Sequence, residues 1–373
     1  MSLFNRAEVV DQNFTKFVKN NNFPPPQTNL HLSQTNIRPT ELISIFESQV
    51  LSRHIDLKAR LLKDEGKCFY TIGSSGHEGN AVFGKVFPTT DMAFLHYRSG
   101  PFFIERSKQV AGTTPIYDLA LSFMASSEDP ISGGRHKVIG SERLNIPPQT
   151  STIASHLPKA VGTAFSIDRA KDLDIPESKL KYDSIVLCSF GDASANHATA
   201  LSAFNTASWI SSQGGHVPII FICEDNGTGI SVSTDKKWIE QNFNNRQDIH
   251  YIQTDGLHLI DLIIKSREVE NDCRMNRSPI FLHMKTVRLM GHAGSDVEMG
   301  YRTLSEIEAT EFNDPLLHSA RILIENQCLS SEDILALYNS SRDQVNHVFN
   351  ATIVRPKLET AADVMKSITA NQI

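Results

Sequence analysis

Two polar side chains, Asp192 and Asn226, each follow an apolar segment of the chain. Asp192 comes just after the β-branched run 185–190, and Asn226 comes just after the run 217–223. Carboxylate and amide oxygens suit Mg²⁺, whose octahedral shell a backbone carbonyl, two phosphate oxygens and a water would complete. The pair therefore indicates a site for a metal-bound diphosphate. Either segment alone is more often only a turn, because Gly-Asp and Asp-Asn-Gly commonly end strands.

The elements that must position these residues form a strand–helix–strand unit over 184–231. The two apolar runs predict strands, and the Ala-rich segment between them repeats its apolar residues at helical spacing. Parallel strands of an open sheet bind ligands beyond their carboxyl ends. Both polar residues are therefore expected at the same edge of the sheet.

The same stretch resembles a known family. Gly-Asp followed by the segment FICEDNGTGIS is similar to the thiamine-diphosphate fingerprint of the alpha subunits of 2-oxo acid dehydrogenases. The resemblance implies that Asp192, Asn226 and the carbonyl of Thr228 bind Mg²⁺. It also places Gly191, Ala193 and Ser194 beside thiamine diphosphate.

The stretch departs from the family pattern at three points. Ala193 replaces the usual glycine, Asp225 replaces the first of two asparagines, and a longer loop widens the spacing. None of these changes removes a predicted metal ligand. The added carboxylate of Asp225 is nevertheless electrostatically unfavourable beside a diphosphate.

The step His96-Tyr97-Arg98 resembles the part of the family that binds the diphosphate. The resemblance implies that Arg98 binds the diphosphate and that Tyr97 lies beside the cofactor. Guanidinium groups match phosphate geometry by bidentate hydrogen bonding. Without the resemblance, Arg98 would more often be a solvated surface residue.

The segment 151–162, STIASHLPKAVG, is closer to the branched-chain type of the family than to the pyruvate type. The resemblance implies that Ser151 and Ile153 face the aminopyrimidine and the substrate. It also implies that Thr152 and Ser155 contribute to a monovalent-cation site for K⁺. This one segment carries the preference for a branched-chain substrate.

His292 is the candidate acid or base. The loop Gly291-His292 with Asp296, Tyr301 and Arg302 is similar to a family loop whose histidine approaches the reactive carbon of the cofactor. An imidazole can donate or accept a proton near neutral pH. Without the flanking residues, a histidine between glycine-rich turns would more simply be structural.

The composition excludes several functional classes. The chain has 373 residues, a net charge of −6 and five scattered cysteines. The mild negative charge argues against a general nucleic-acid binder, and no apolar run is long enough to span a membrane. Free thiols in apolar segments are typical of a reducing compartment, so a cytoplasmic location is expected.

Three segments are predicted along the chain. Residues 1–38 are polar and Pro-rich and predict an extended arm, residues 39–353 predict the cofactor-binding domain, and residues 354–373 predict a tail or linker to a fused beta half. The domain should begin with an amphipathic helix over 40–62. The resemblance implies a three-layer α/β/α sandwich with a mostly parallel sheet.

The function implied by the resemblance is oxidative decarboxylation of a 2-oxo acid, with acyl transfer to the lipoyl group of an acyltransferase component. The family's activating glutamate belongs to a beta subunit, so a heterotetramer is expected. Pyruvate or acetoin dehydrogenase alpha subunits are alternatives. A catalytically impaired scaffold is another, suggested by Ala193, Asp225 and Ala293. A nicotinamide-binding domain is disfavoured because no G-x-G-x-x-G follows the first strand of the unit.

Overall fold

A five-stranded parallel sheet forms the centre of the computed structural model, which describes residues 5–26, 28–149, 152–175 and 180–368. Two further short strands form a separate antiparallel hairpin. The strands are β1 (Met92–Phe94), β2 (Val186–Gly191), β3 (Ile219–Asp225), β4 (Thr228–Gly229), β5 (Val232–Ser233), β6 (His250–Asp255) and β7 (Ile280–Lys285). The order in the central sheet is β1-β2-β3-β7-β6, with β4 and β5 in the hairpin.

Helices cover both faces of this sheet. They are α1 (Arg6–Lys19), α2 (Pro39–Asp64), α3 (Ala81–Val86), α4 (Gly100–Ser107), α5 (Pro115–Phe123), α6 (Leu157–Asp172), α7 (Ala198–Ser212), α8 (Trp238–Phe243), α9 (Leu259–Asn276), α10 (Leu304–Phe312), α11 (Pro315–Glu325), α12 (Ser331–Ile353) and α13 (Ala361–Met365). In the described parts of the chain, no helix is both long and apolar enough to cross a membrane.

The alternating side chains of the strands separate two hydrophobic cores. In β3, Ile220 and Ile222 pack into the core shared with α2, α9 and α12. Phe221 and Cys223 point the other way, into the core shared with α6 and α7. Because successive strand residues face opposite sides, the sheet is the middle layer between two layers of helices. This confirms the predicted three-layer α/β/α sandwich.

The predicted extended arm over 1–38 is wrong for residues 6–19, which form α1. Val10, Phe14 and Val18 recur every four residues and are buried on one helix face. The side chain of Asn5 caps the helix by accepting a hydrogen bond from the backbone of Ala7 at 3.0 Å. The apolar residues have helical spacing, but the stripe is short and surrounded by polar residues, so the helix was not predicted.

The C-terminal segment lies against the loop that precedes the site. Ser127 donates its backbone N–H to the carbonyl of Pro356 at 2.8 Å. Arg135 donates to the carbonyls of Asp363 and Val364 at 2.6 and 2.9 Å. Residues 354–368 therefore extend across the surface beside the residues that lead to the cavity.

Candidate active site

A cavity of about 360 Å³ opens at the carboxyl edge of the sheet, where β1, β2, β3 and β7 all end. Every described residue of the predicted cofactor site lines it, whereas Ser151 lies outside the described residues. These lining residues are Tyr97, Arg98, Ile153, Gly191, Asp192, Ala193, Ser194, Asn226, Thr228 and His292. Segments that are far apart in the sequence thus meet at one site.

Asp192 lies where β2 passes into a short 3₁₀ turn. Gly191 of β2 pairs with Glu224 of β3, so Asp192 and Asn226 follow neighbouring strand ends. The Asp192 carboxylate accepts one side-chain hydrogen bond, from the Thr234 hydroxyl at 2.6 Å. Burial raises the pKa of Asp192, and the nearby charge of Asp225 raises it further. A divalent cation would stabilise this carboxylate in its ionised form.

Asn226 is held by a turn that leaves its amide oxygen available. That oxygen accepts the backbone N–H of Thr228 at 3.1 Å, and Gly227 permits the turn through its φ of +72°. The amide nitrogen faces Nε2 of His77 at 3.0 Å. An amide oxygen has two lone pairs, so one remains for a cation.

Asp225 does not line the cavity and is paired with basic side chains, which weakens the electrostatic objection although its charge still acts on Asp192. Its carboxylate pairs with Nε2 of His283 at 2.8 Å and with Lys285 at 3.4 Å. Burial raises the pKa of Asp225, but the hydrogen bond and charge of His283 outweigh burial and lower it overall. The second carboxylate oxygen accepts the Gly227 N–H at 3.0 Å, so Asp225 supports the turn that carries Asn226.

Ala193, another departure from the family pattern, is accommodated by the glycine at position 229. A Cβ built on Gly229 would lie 2.9 Å from the Ala193 methyl group. The extra methyl therefore occupies space that a side chain at position 229 would need. Ala193 and Gly229 both line the cavity, between the end of β2 and the β4–β5 hairpin.

Among the residues that the structure describes, three cationic side chains line the cavity. Arg98 donates to the Gly73 carbonyl at 2.6 Å and lies 3.3 Å from Nδ1 of His292. Arg288 donates to the Ile230 carbonyl at 2.7 Å, and its Nε has no partner among the described residues. Burial lowers the pKa of Lys137 to about 8. This positive lining suits an anionic ligand such as a diphosphate.

His292 lies beside two of these cations. Its backbone N–H donates to the Asp296 carboxylate at 2.6 Å, which fixes the loop. Burial, together with the charges of Arg98 and Arg288, lowers the pKa of His292 to about 4. The imidazole is therefore neutral near pH 7, and a neutral imidazole can accept a proton.

Comparison with known proteins identifies the family. The family model described as "Dehydrogenase E1 component" matches residues 47–360. The chain belongs to the dehydrogenase E1 component family.

Curated members of this family include alpha subunits of 2-oxo acid dehydrogenases. The 2-oxoisovalerate dehydrogenase subunit alpha of Bacillus subtilis is 26% identical over 336 residues, which span 87% of this chain and 94% of the relative. The mitochondrial counterpart of Mus musculus is 25% identical over 335 residues, 87% and 69% of the two chains. A mitochondrial pyruvate dehydrogenase E1 component subunit alpha of Dictyostelium discoideum is 27% identical over 198 residues, 52% and 50% of the chains. These matches confirm the resemblance to an alpha subunit.

The dehydrogenase E1 component family depends on thiamine diphosphate, and the cavity fits the anionic part of that cofactor. The lining includes oxygen ligands from Asp192, Asn226 and Thr228 as well as the cations Arg98, Lys137 and Arg288. A diphosphate requires both kinds of group when it binds through a divalent ion.

Sequence reasoning missed several residues that line the cavity. Neither Arg288 nor Lys137 was predicted, and His96 was treated only as part of its motif. Arg288 lies four residues before His292, and this was the only local sign of its role. Lys137 reaches the cavity through packing between distant segments, which no spacing in the sequence reveals.

Proposed function

We propose that this chain is the alpha subunit of a branched-chain 2-oxo acid dehydrogenase that uses thiamine diphosphate and Mg²⁺. The observation that carries the proposal is the placement of Asp192 and Asn226 at adjacent strand ends, in a cavity whose lining also includes Arg98, Lys137 and Arg288. The family match over residues 47–360 supports the same reaction class, an oxidoreductase acting on 2-oxo acids.

In this proposal each part of the lining has a role. Asp192, Asn226 and the carbonyl of Thr228 hold Mg²⁺, while Arg98, Arg288 and Lys137 neutralise the diphosphate. When bound, the cofactor would supply an acidic carbon able to add to a keto carbon and to take up the electrons released with carbon dioxide. His292, neutral near pH 7, accepts a proton at Nδ1 or Nε2 during acyl transfer.

The 151–162 segment supports the finer substrate proposal. Ile153 lines the cavity mouth and is 47% exposed, so an aliphatic group there would bury it. Ser155 donates to the Thr152 carbonyl at 2.8 Å, and this pair is our proposed K⁺ site. Pyruvate and acetoin remain the alternative substrates, because relatives of the pyruvate type also match.

A beta subunit is the proposed partner, in a heterotetramer that passes its acyl group to a lipoyl acyltransferase. Large apolar side chains are exposed on the β4–β5 hairpin, which contributes to the cavity lining, and Ile230 and Val232 are 61% and 70% exposed. Exposed apolar surface of this kind marks a contact with another protein. All five cysteines are free, which supports a reducing location such as the cytoplasm.

Calorimetric titration of the alpha–beta heteromer with thiamine diphosphate and Mg²⁺ tests the cofactor proposal. Asp192→Asn should weaken Mg²⁺-dependent binding by at least about tenfold, because it removes the charged metal ligand. The exposed Asp172→Asn serves as the matched control and should bind like the unmodified protein. Absence of binding by the unmodified heteromer would instead support the scaffold alternative.

A substrate panel tests the finer proposal. The heteromer is assayed with 2-oxoisovalerate, pyruvate and acetoin, and kcat/KM is compared. We expect the highest value for 2-oxoisovalerate. A higher value for pyruvate or acetoin would overturn the branched-chain assignment while leaving the cofactor site in place.

A further inference from the structure

A second group of potential ligands lies beside the cavity and involves none of the proposed Mg²⁺ ligands. It consists of His77, His96 and Glu224, which we call the His-His-Glu cluster. One donor atom from each residue lies within 4.8 Å of the other two. Nδ1 of His77 is 2.6 Å from the Glu224 carboxylate. All three side chains are buried, at 0%, 4% and 0% exposure.

The cluster has unused bonding capacity. Neither ring nitrogen of His96 has a hydrogen-bond partner among the described residues, and neither does one carboxylate oxygen of Glu224. Buried polar atoms are rarely left unpaired in native proteins, so each unpaired atom requires an explanation. His96 also lines the cavity, although both of its unpaired ring nitrogens are themselves buried.

The charge of Glu224 points to a cation. Its side chain contacts His77 and the Asn80 amide, at 2.6 and 3.3 Å, and no described lysine or arginine forms an ion pair with it. Arg98, the cation of the neighbouring segment, donates instead to Gly73 and His292. A fully buried carboxylate without a cationic partner is costly unless a positive charge is bound nearby.

We infer that the His-His-Glu cluster binds a divalent transition-metal ion of the Zn²⁺ class. Two imidazoles and one carboxylate are typical ligands of Zn²⁺ and Fe²⁺, whereas Mg²⁺ prefers an all-oxygen shell. Since His96 lines the cavity, the remaining coordination position faces it and takes a water or an anionic oxygen.

An experiment must distinguish metal binding at the His-His-Glu cluster from binding at the proposed Mg²⁺ site beside it. His77 touches Asn226 through its other nitrogen at 3.0 Å, so the two sites are neighbours. Asp192 is a proposed ligand of the Mg²⁺ site and is not a member of the His-His-Glu cluster. A probe metal given without thiamine diphosphate, together with a variant at Asp192, therefore separates the two proposals.

The experiment is a titration of the full, chelator-treated chain with Co²⁺ followed by visible absorption, and with Zn²⁺ followed by competition with a chelating dye. We expect one ion per chain, with the absorption of a four- or five-coordinate Co²⁺ site. His96→Ala and Glu224→Gln should each weaken binding by more than about tenfold. His216→Ala, which removes an exposed histidine paired with Asp168, is the matched control and should bind normally.

Two outcomes would overturn the inference. In the first, His96→Ala leaves Co²⁺ or Zn²⁺ binding unchanged and Asp192→Ala abolishes it, because the ion then occupies the proposed Mg²⁺ site. The other is no stoichiometric binding by the unmodified chain. Circular dichroism and the urea midpoint establish that each variant is folded, and His96→Gln, which keeps a similar volume, replaces His96→Ala if the alanine variant is unfolded.

Discussion

At the scale of single residues, the cavity controls protonation by burial and by neighbouring charge. His292 illustrates both effects, since burial and the guanidinium groups of Arg98 and Arg288 keep it neutral. Asp192 is shifted in the opposite sense, because burial and the charge of Asp225 favour its protonated form. Both shifts are those expected of a site built to receive an anion together with a cation.

The pH dependence of stability tests the state of His292. Its folded pKa lies below that of an unfolded histidine, about 6.5, so the unfolded chain takes up a proton first as the pH falls. This residue therefore lowers the free energy of unfolding as the pH falls from about 6.5 toward its folded pKa of about 4. His292→Gln should lose less unfolding free energy between about pH 7 and about pH 5 than the unmodified chain.

Urea denaturation at the two pH values measures this difference. The exposed His347→Gln is the matched control, because it removes an imidazole far along α12. Its loss of stability should equal that of the unmodified chain. An identical pH slope for His292→Gln would show that the imidazole is not held neutral.

At the scale of elements, α2 positions the turn at Ser74 and Ser75, which follows the cavity-lining residue Ile72. Its Asp56 accepts the backbone N–H groups of Ser74 and Ser75 at 2.6 and 2.7 Å. Its Arg53 pairs with Glu78 and Asp314, each at 2.7 Å, in a fully buried cluster. The helix was predicted from apolar periodicity, but these polar contacts were not, because they join residues that are distant in sequence.

Helix α1 connects to the loop that carries His292. Arg6 donates to the Leu289 carbonyl at 2.9 Å and pairs with Glu298 at 3.0 Å. The helix itself is anchored by Phe14, whose ring stacks on Tyr338 with centroids 4.3 Å apart. Packing of α1 therefore supports both the core and the loop.

Phe14→Ala should lower the unfolding free energy by about 3–5 kcal/mol, because it leaves a cavity where an aromatic ring was buried. Urea denaturation followed by circular dichroism gives the value. Lys16→Ala, on the exposed face of the same helix, is the control and should change stability by less than about 0.5 kcal/mol. Equal stability of both variants would mean that α1 does not contribute to the cooperative core.

At the scale of the whole molecule, the sequence predicts those parts of the site whose position depends on neighbouring residues along the chain. Asp192 and Asn226 each follow a strand, and parallel topology brings such positions to one edge. Arg288, Lys137 and the partner of Asp225 depend on how remote segments pack, and no local pattern carries that information. Helix α1 was missed because its apolar stripe is short and lies beside the Asn- and Pro-rich segment.

The whole molecule also determines which reactions the isolated chain can support. Among the described residues that line the cavity, Asp192 is the only carboxylate, and our proposal assigns it to Mg²⁺. No described acid is left to activate the cofactor, and in the proposed heteromer a beta subunit supplies that group. Our proposal places that partner against the exposed apolar side chains of the β4–β5 hairpin, Ile230 and Val232.

The isolated chain, given thiamine diphosphate and Mg²⁺, should therefore release no carbon dioxide from 2-oxoisovalerate above the rate of the cofactor alone. Addition of the beta subunit should raise the rate by about 10²–10⁴-fold, the usual contribution of a positioned acid or base. The beta subunit alone and the Asp192→Asn heteromer are the controls, and both should stay near background. Decarboxylation by the isolated chain would mean that a group within this chain activates the cofactor, and the cavity would then be a complete active site.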